Sequence, residues 1–192
     1  MKYSYYSLIT ILILSLSSCK FYGPFQGLYS YQEKVEIENP NLIQFPKSAI
    51  CELENKETPV IYKIHGEELK SCLNNYDKSI IYLWSPNCTS DVCIPLDLAQ
   101  DYCDQNNIEL FVVAEYYDAK KMKENYTIER PIFSIDTKFY KTDLTNKYLR
   151  AFFEDVTNQK MKDFEKFYFF EKDELKSSVD YLEKNDYKNI FN

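Results

Sequence analysis

Two nearly unbroken apolar runs constrain this chain most, Ser79-Ile-Ile-Tyr-Leu-Trp84 and Ile108-Glu-Leu-Phe-Val-Val-Ala114. A strand with one face in water alternates apolar and polar residues; a run without alternation marks a strand covered on both faces, as inside a sheet flanked by helices. Further strands are expected at 59–64, 131–136 and 167–170, with 175–179 following a polar turn at 171–174. Between them lie helical patterns. Leu69, Cys72, Leu73 and Tyr76 share one stripe, and Leu96, Ala99 and Cys103 another. A short helix is expected to start at the N-cap Asp118 and run to 124, and another to span 146–153. Strands alternating with helices predict an α/β three-layer sandwich around a mixed, mostly parallel sheet, in one domain over residues 57–192.

Composition removes several chemistries. The chain has 192 residues and only three glycines, Gly23, Gly27 and Gly66, so no Gly-rich phosphate loop can be built after residue 66. No nucleotide or other cofactor is expected. His65 is the single histidine, so any His-containing triad or metal set must run through it. The formal charge is -7, which opposes a nucleic-acid partner, because phosphate contacts need a basic face. The 18 Tyr and 13 Phe are expected to fill the core and the sheet surface.

Residues 1–18 read as an export signal. Lys2 precedes an apolar run at 8–16, about half the roughly 20 residues that cross a bilayer, and small residues close it. The ending Leu16-Ser17-Ser18-Cys19 resembles the lipobox of bacterial lipoproteins, which implies a lipidated Cys19 as the mature N-terminus, a cell-envelope location anchored to the membrane, and a face toward the periplasm. Loss of Lys2 makes the mature chain one charge more negative, so the acyl chains must do the anchoring. Residues 19–56, punctuated by Pro24, Pro40 and Pro46, read as a lipid-anchored tether with an edge strand at 34–37.

An exported chain meets an oxidising compartment where disulfides persist. Five cysteines remain, Cys51, Cys72, Cys88, Cys93 and Cys103, and an odd number leaves at least one unpaired within the chain. Cys72 and Cys103 lie on apolar stripes and read as core. Cys51, in irregular chain, could pair with Cys72 or with another thiol. Cys88 and Cys93 follow a buried strand and precede a helix, whose N-terminus favours thiolate over thiol, with Cys88 placed to benefit.

Ile80-Ile-Tyr-Leu-Trp84-Ser-Pro-Asn-Cys88, with Pro95-Leu96 beyond, resembles the thioredoxin-like superfamily, whose pattern is strand, W-x-x-x-C-x-x-C, helix. The resemblance spans about residues 59–179. It implies thiol-disulfide exchange with envelope proteins, Cys88 as nucleophile, Cys93 as resolving thiol, and Trp84 shielding the thiol; from its place in the apolar run Trp84 reads as a core or groove-wall residue. The departure is that Asp91 stands where the family has its second cysteine, giving C-x-x-x-x-C. Residues five apart in a helix are rotated by about 140° and rise about 7.5 Å, so a bridge is impossible if the helix starts at 89 and possible if it starts later. Pro95 suits the first helical position. Asp91 could cap that helix, and its carboxylate would raise a neighbouring thiol's pKa.

The family's cis-proline has two candidate registers. Pro131 fills it in one; in the other, where 167–176 is the closing hairpin, the place falls near Glu165 and proline is missing. The second register accounts for the long stretch 138–163. A Cu(I) site from His65, Cys88 and Cys93 is disfavoured by their spacing and order, so no metal is expected. The alternative to exchange is a degenerate thioredoxin-like module that binds a partner or serves as structure in the envelope.

Overall fold

The computed structural model describes residues 27–53, 58–183 and 186–191. The signal segment and Cys19 lie outside the described residues. Seven strands, β1 (Ile43–Gln44), β2 (Ile61–Ile64), β3 (Ser79–Trp84), β4 (Glu109–Ala114), β5 (Ile132–Ile135), β6 (Phe167–Glu171) and β7 (Glu174–Val179), form one sheet in the order β1-β2-β5-β4-β3-β6-β7. The first five in that order are parallel; β6 runs antiparallel to β3, and β7 antiparallel to β6. The class is therefore α/β with a mixed, mostly parallel sheet. Every residue of β3 is buried, as its unbroken apolar run requires.

Among the described residues six helices flank the sheet: α1 (Gln32–Glu38), α2 (Gly66–Leu73), α3 (Leu96–Gln105), α4 (Ala119–Glu124), α5 (Thr145–Thr157) and α6 (Asp186–Ile190). Alternate strand residues feed two cores. Ile80, Tyr82 and Trp84 pack with Val35 of α1, Leu96, Ala99 and Cys103 of α3 and Met122 of α4. Ile81 and Leu83 pack on the other side with Leu69 and Leu73 of α2 and Phe152 and Phe153 of α5. The two helices of this second layer touch closely at Gly66, where a Cβ would lie 2.6 Å from the Asp155 Cβ and strike the Phe152 carbonyl oxygen.

Several expectations change. Residues 34–37 are helical rather than an edge strand: in Lys-Val-Glu-Ile only Val35 is buried, while Ile37 is 74 % exposed, so the apparent alternation is not used. Instead Gln32 and Val35, one turn apart, face inward. Residues 29–53 are not a tether, because Tyr29 pairs with Leu144, Ile43–Gln44 adds a strand to β2, and Leu42, Ile43 and Ile50 are buried. Cys72 is buried as expected, but it is also bonded to Cys51. Cys103 is a buried free thiol.

Polar residues fasten the N-terminal segment to the carboxyl ends of β2 and β5. Gln32 is 1 % exposed; its amide donates to Glu36 and Asp136, and its carbonyl accepts from the Thr137 amide and hydroxyl. Buried Lys63 reaches Glu36 at 2.6 Å, and Lys138 reaches the other oxygen at 2.5 Å. Burial opposes ionisation of Glu36, but hydrogen bonds from Lys138, Lys63 and Gln32 outweigh it and hold the carboxyl down at about 2.

Candidate functional site: the disulfide loop at the end of strand β3

Strand β3 leaves the sheet at Trp84, and the chain makes two short turns before α3. The Cys88 amide donates to the Ser85 carbonyl and the Cys93 amide to the Ser90 carbonyl, each at 3.0 Å. Each turn thus ends on a cysteine. Their Cα atoms lie 6.0 Å apart, and the two are joined as a disulfide. The bridge closes because α3 begins only at Leu96, with Pro95 as its N-cap rather than its first helical residue. Asp91 is exposed and makes no capping hydrogen bond to α3.

The late start places Leu96, the first residue of α3, eight positions after Cys88. Beside Cys88 lies Ser90. Its hydroxyl is 3.2 Å from the Cys88 sulfur and 3.9 Å from that of Cys93. Bonded sulfurs carry no proton, so the hydroxyl is the donor to both. On reduction it is in place to stabilise a thiolate, more closely at Cys88. Both cysteines are half-buried, and Thr89 and Ser90 are exposed.

Two tyrosines hold the loop's ends. The Tyr82 hydroxyl, which burial keeps well above the ordinary phenol range, donates to the Ile94 carbonyl at 2.9 Å. The Tyr116 hydroxyl accepts from the Asn87 amide at 3.1 Å, and the Asn87 side chain donates to Asp118 at 2.7 Å. Trp84, 5 % exposed, is a core residue at the loop's base.

Sequence reasoning missed a second cluster behind the loop. Lys166 donates to the Ser85 hydroxyl at 2.7 Å and pairs with Glu115 at 3.3 Å, and the Ser85 hydroxyl bonds the same Glu115 carboxylate. The antiparallel pairing of β3 with β6 brings these residues together, because the Leu83 amide donates to the Lys166 carbonyl. A polar residue at the tip of each buried run, Ser85, Glu115 and Lys166, was the only signal available. Pro131 is not part of this site. It enters β5 level with the middle of β3, two strands away, and all peptide bonds among the described residues are trans. Glu165 and Lys166 occupy the approach to β6, and no proline stands there.

His65 does not join the cysteines. Its ring stacks on Phe139 at 3.8 Å, with its nitrogens facing Glu68 and Asp136. At the opposite end of the sheet a polar cleft of about 430 Å³ is lined by Tyr76, Lys78, Asn107 and Arg130. Arg130 is neutralised there by Asp104 and Glu109. Compared with known proteins, the chain matches no protein-family model, no curated protein and no solved structure.

Proposed function

We propose that the protein is a thioredoxin-like lipoprotein, anchored through Cys19 in the bacterial cell envelope and facing the periplasm, that exchanges thiols and disulfides with envelope proteins. The observation that carries this reading is the half-buried Cys88–Cys93 disulfide in a loop that directly follows a central, fully buried strand. The parallel strands on one side of β3 and the antiparallel β6–β7 hairpin on the other support the thioredoxin-like part.

In the reduced protein the Cys88 thiolate, stabilised by Ser90, attacks one sulfur of a substrate disulfide. That bond breaks, and the departing substrate sulfur leaves as a thiolate and takes up a proton. The Cys93 thiolate then attacks the Cys88 sulfur, the second substrate thiolate departs, and the Cys88–Cys93 bond re-forms. Two electrons pass from protein to substrate. Run backwards, the bonded form oxidises a substrate dithiol.

The test is capture of the intermediate in the full-length chain. Cys93→Ser should accumulate a mixed disulfide with a peptide disulfide, while Cys88→Ser should form none and lose insulin reduction. A second reading, a partner-binding module without turnover, is favoured by Glu165-Lys166 standing where the resembled family carries its proline. Absence of trapping in Cys93→Ser, together with an inactive parent, would establish that module and overturn the exchange reading.

A further inference from the structure

We infer that the end of the molecule bearing the disulfide loop faces the bilayer at short range, so that its substrates are thiols and disulfides of proteins held at the membrane surface. The inference rests on the proposed lipid anchor at Cys19. It follows from where the folded body begins. The Ser30 amide donates to Asp143, the Tyr117 amide donates to Ser30, and Tyr29 pairs with Leu144. With residues 29–53 packed on the sheet, only seven residues separate Cys19 from Gly27, eight Cα-to-Cα steps and at most about 27 Å of chain even if fully extended. A tether reaching residue 56 would have allowed several times that distance.

The point of entry also fixes the direction. Gly27 adopts φ +86°, and a Cβ there would lie 3.7 Å from the Tyr116 ring, which holds Asn87 of the disulfide loop through its hydroxyl. One side chain therefore borders both the entry of the chain and the proposed site. The carboxyl ends of the parallel strands all lie on this side, and so do Leu28, Tyr29 and Phe139, apolar residues that are 44 %, 36 % and 52 % exposed. The intervening sequence adds Phe21, Tyr22 and Phe25, aromatic residues of the kind favoured at a membrane interface. The chain's net negative charge gives anionic headgroups nothing to attract, so anchor and apolar residues set the orientation.

Trp84, the single tryptophan, sits at the loop's base and serves as a native reporter. The full-length lipidated protein is reconstituted in phosphatidylcholine vesicles containing a dansyl-headgroup lipid, and energy transfer from Trp84 is measured. A second chain carries a stiff helical spacer of about 30 residues, roughly 45 Å, between Phe25 and Gln26. Transfer is expected in the parent and lost with the spacer. Capture of a vesicle-anchored disulfide peptide by the Cys93→Ser chain should be lost with it, while capture of the same peptide free in solution is unchanged. Equal transfer and equal capture with and without the spacer would overturn the inference. The anchor is read separately through flotation of Cys19→Ser. If that variant floats with vesicles as the parent does, the lipid-anchor reading fails, and the limit on tether length with it. If it is released while the parent shows no transfer, the anchor stands and the orientation falls.

Discussion

Beside the disulfide, the proposed exchange turns on one hydroxyl. Ser90 is the only side chain within hydrogen-bond reach of both sulfurs among the described contacts, and on reduction its proton offsets part of the cost of a thiolate at Cys88. Ser90→Ala should raise the Cys88 thiol pKa and slow its alkylation near neutral pH about fivefold, the equivalent of about 1 kcal/mol. At high pH, where the thiol is ionised in both proteins, the two rates should converge. A pH profile of iodoacetamide reactivity in the Cys93→Ser background checks this, and a uniform slowing at every pH would sink it. Glu36 provides a second test at the same scale. Its carboxyl is held at about 2 against an ordinary 4.5, so the stabilisation is complete above about pH 4.5 and is lost as pH falls toward 2. With Glu36 partly solvated, the contribution is about 1–2 kcal/mol. Glu36→Gln should lower stability at pH 7 by about that amount, and the gap should close by about pH 2 in urea unfolding followed by circular dichroism.

Between elements, the approach of α2 to α5 is a tight constraint. Gly66 opens α2 directly against the backbone of α5, leaving no room for a methyl group. Gly66→Ala must push the helices apart, at a cost of about 1–3 kcal/mol. A thermal melt indistinguishable from the parent would show that the second layer can shift freely. The helices α2 and α3 were legible from the spacing of their apolar residues, as were the buried runs of β3 and β4. Helix α1 was not, because Val35 is its only buried apolar side chain, and its polar residue Gln32 is fixed by partners more than 100 residues away. The N-terminal segment was misread for the same reason: its two-residue strand and single-turn helix at Ile50–Glu52 are too short to impose a period. The cysteine pair was visible, whereas the Ser85–Glu115–Lys166 cluster exists only once β3 and β6 are antiparallel.

Across the whole molecule, the five cysteines outside the proposed anchor divide into three environments. Cys88–Cys93 is half-buried in a surface loop; Cys51–Cys72 ties the N-terminal segment to α2; Cys103 lies fully buried on the face of α3 that also carries Leu96 and Ala99. Burial pushes the Cys103 thiol up to about 12, so it is un-ionised as well as inaccessible in the native state. It can meet a reagent only when α3 leaves β4, which exposes the core shared by α1, α3 and α4. Labelling of Cys103 in the oxidised protein should therefore be slower than that of a free thiol by about the unfolding equilibrium constant, commonly 10³ or more for a domain of this size. Added urea should accelerate it with a slope matching global unfolding, because Cys103 packs into the core shared by α1, α3, α4 and the sheet. Mass spectrometry after a timed pulse of N-ethylmaleimide gives the rate. A single adduct acquired quickly in buffer without denaturant would place α3 in a locally opening unit, and the disulfide loop that leads into it would then move with α3 rather than stand on a fixed frame.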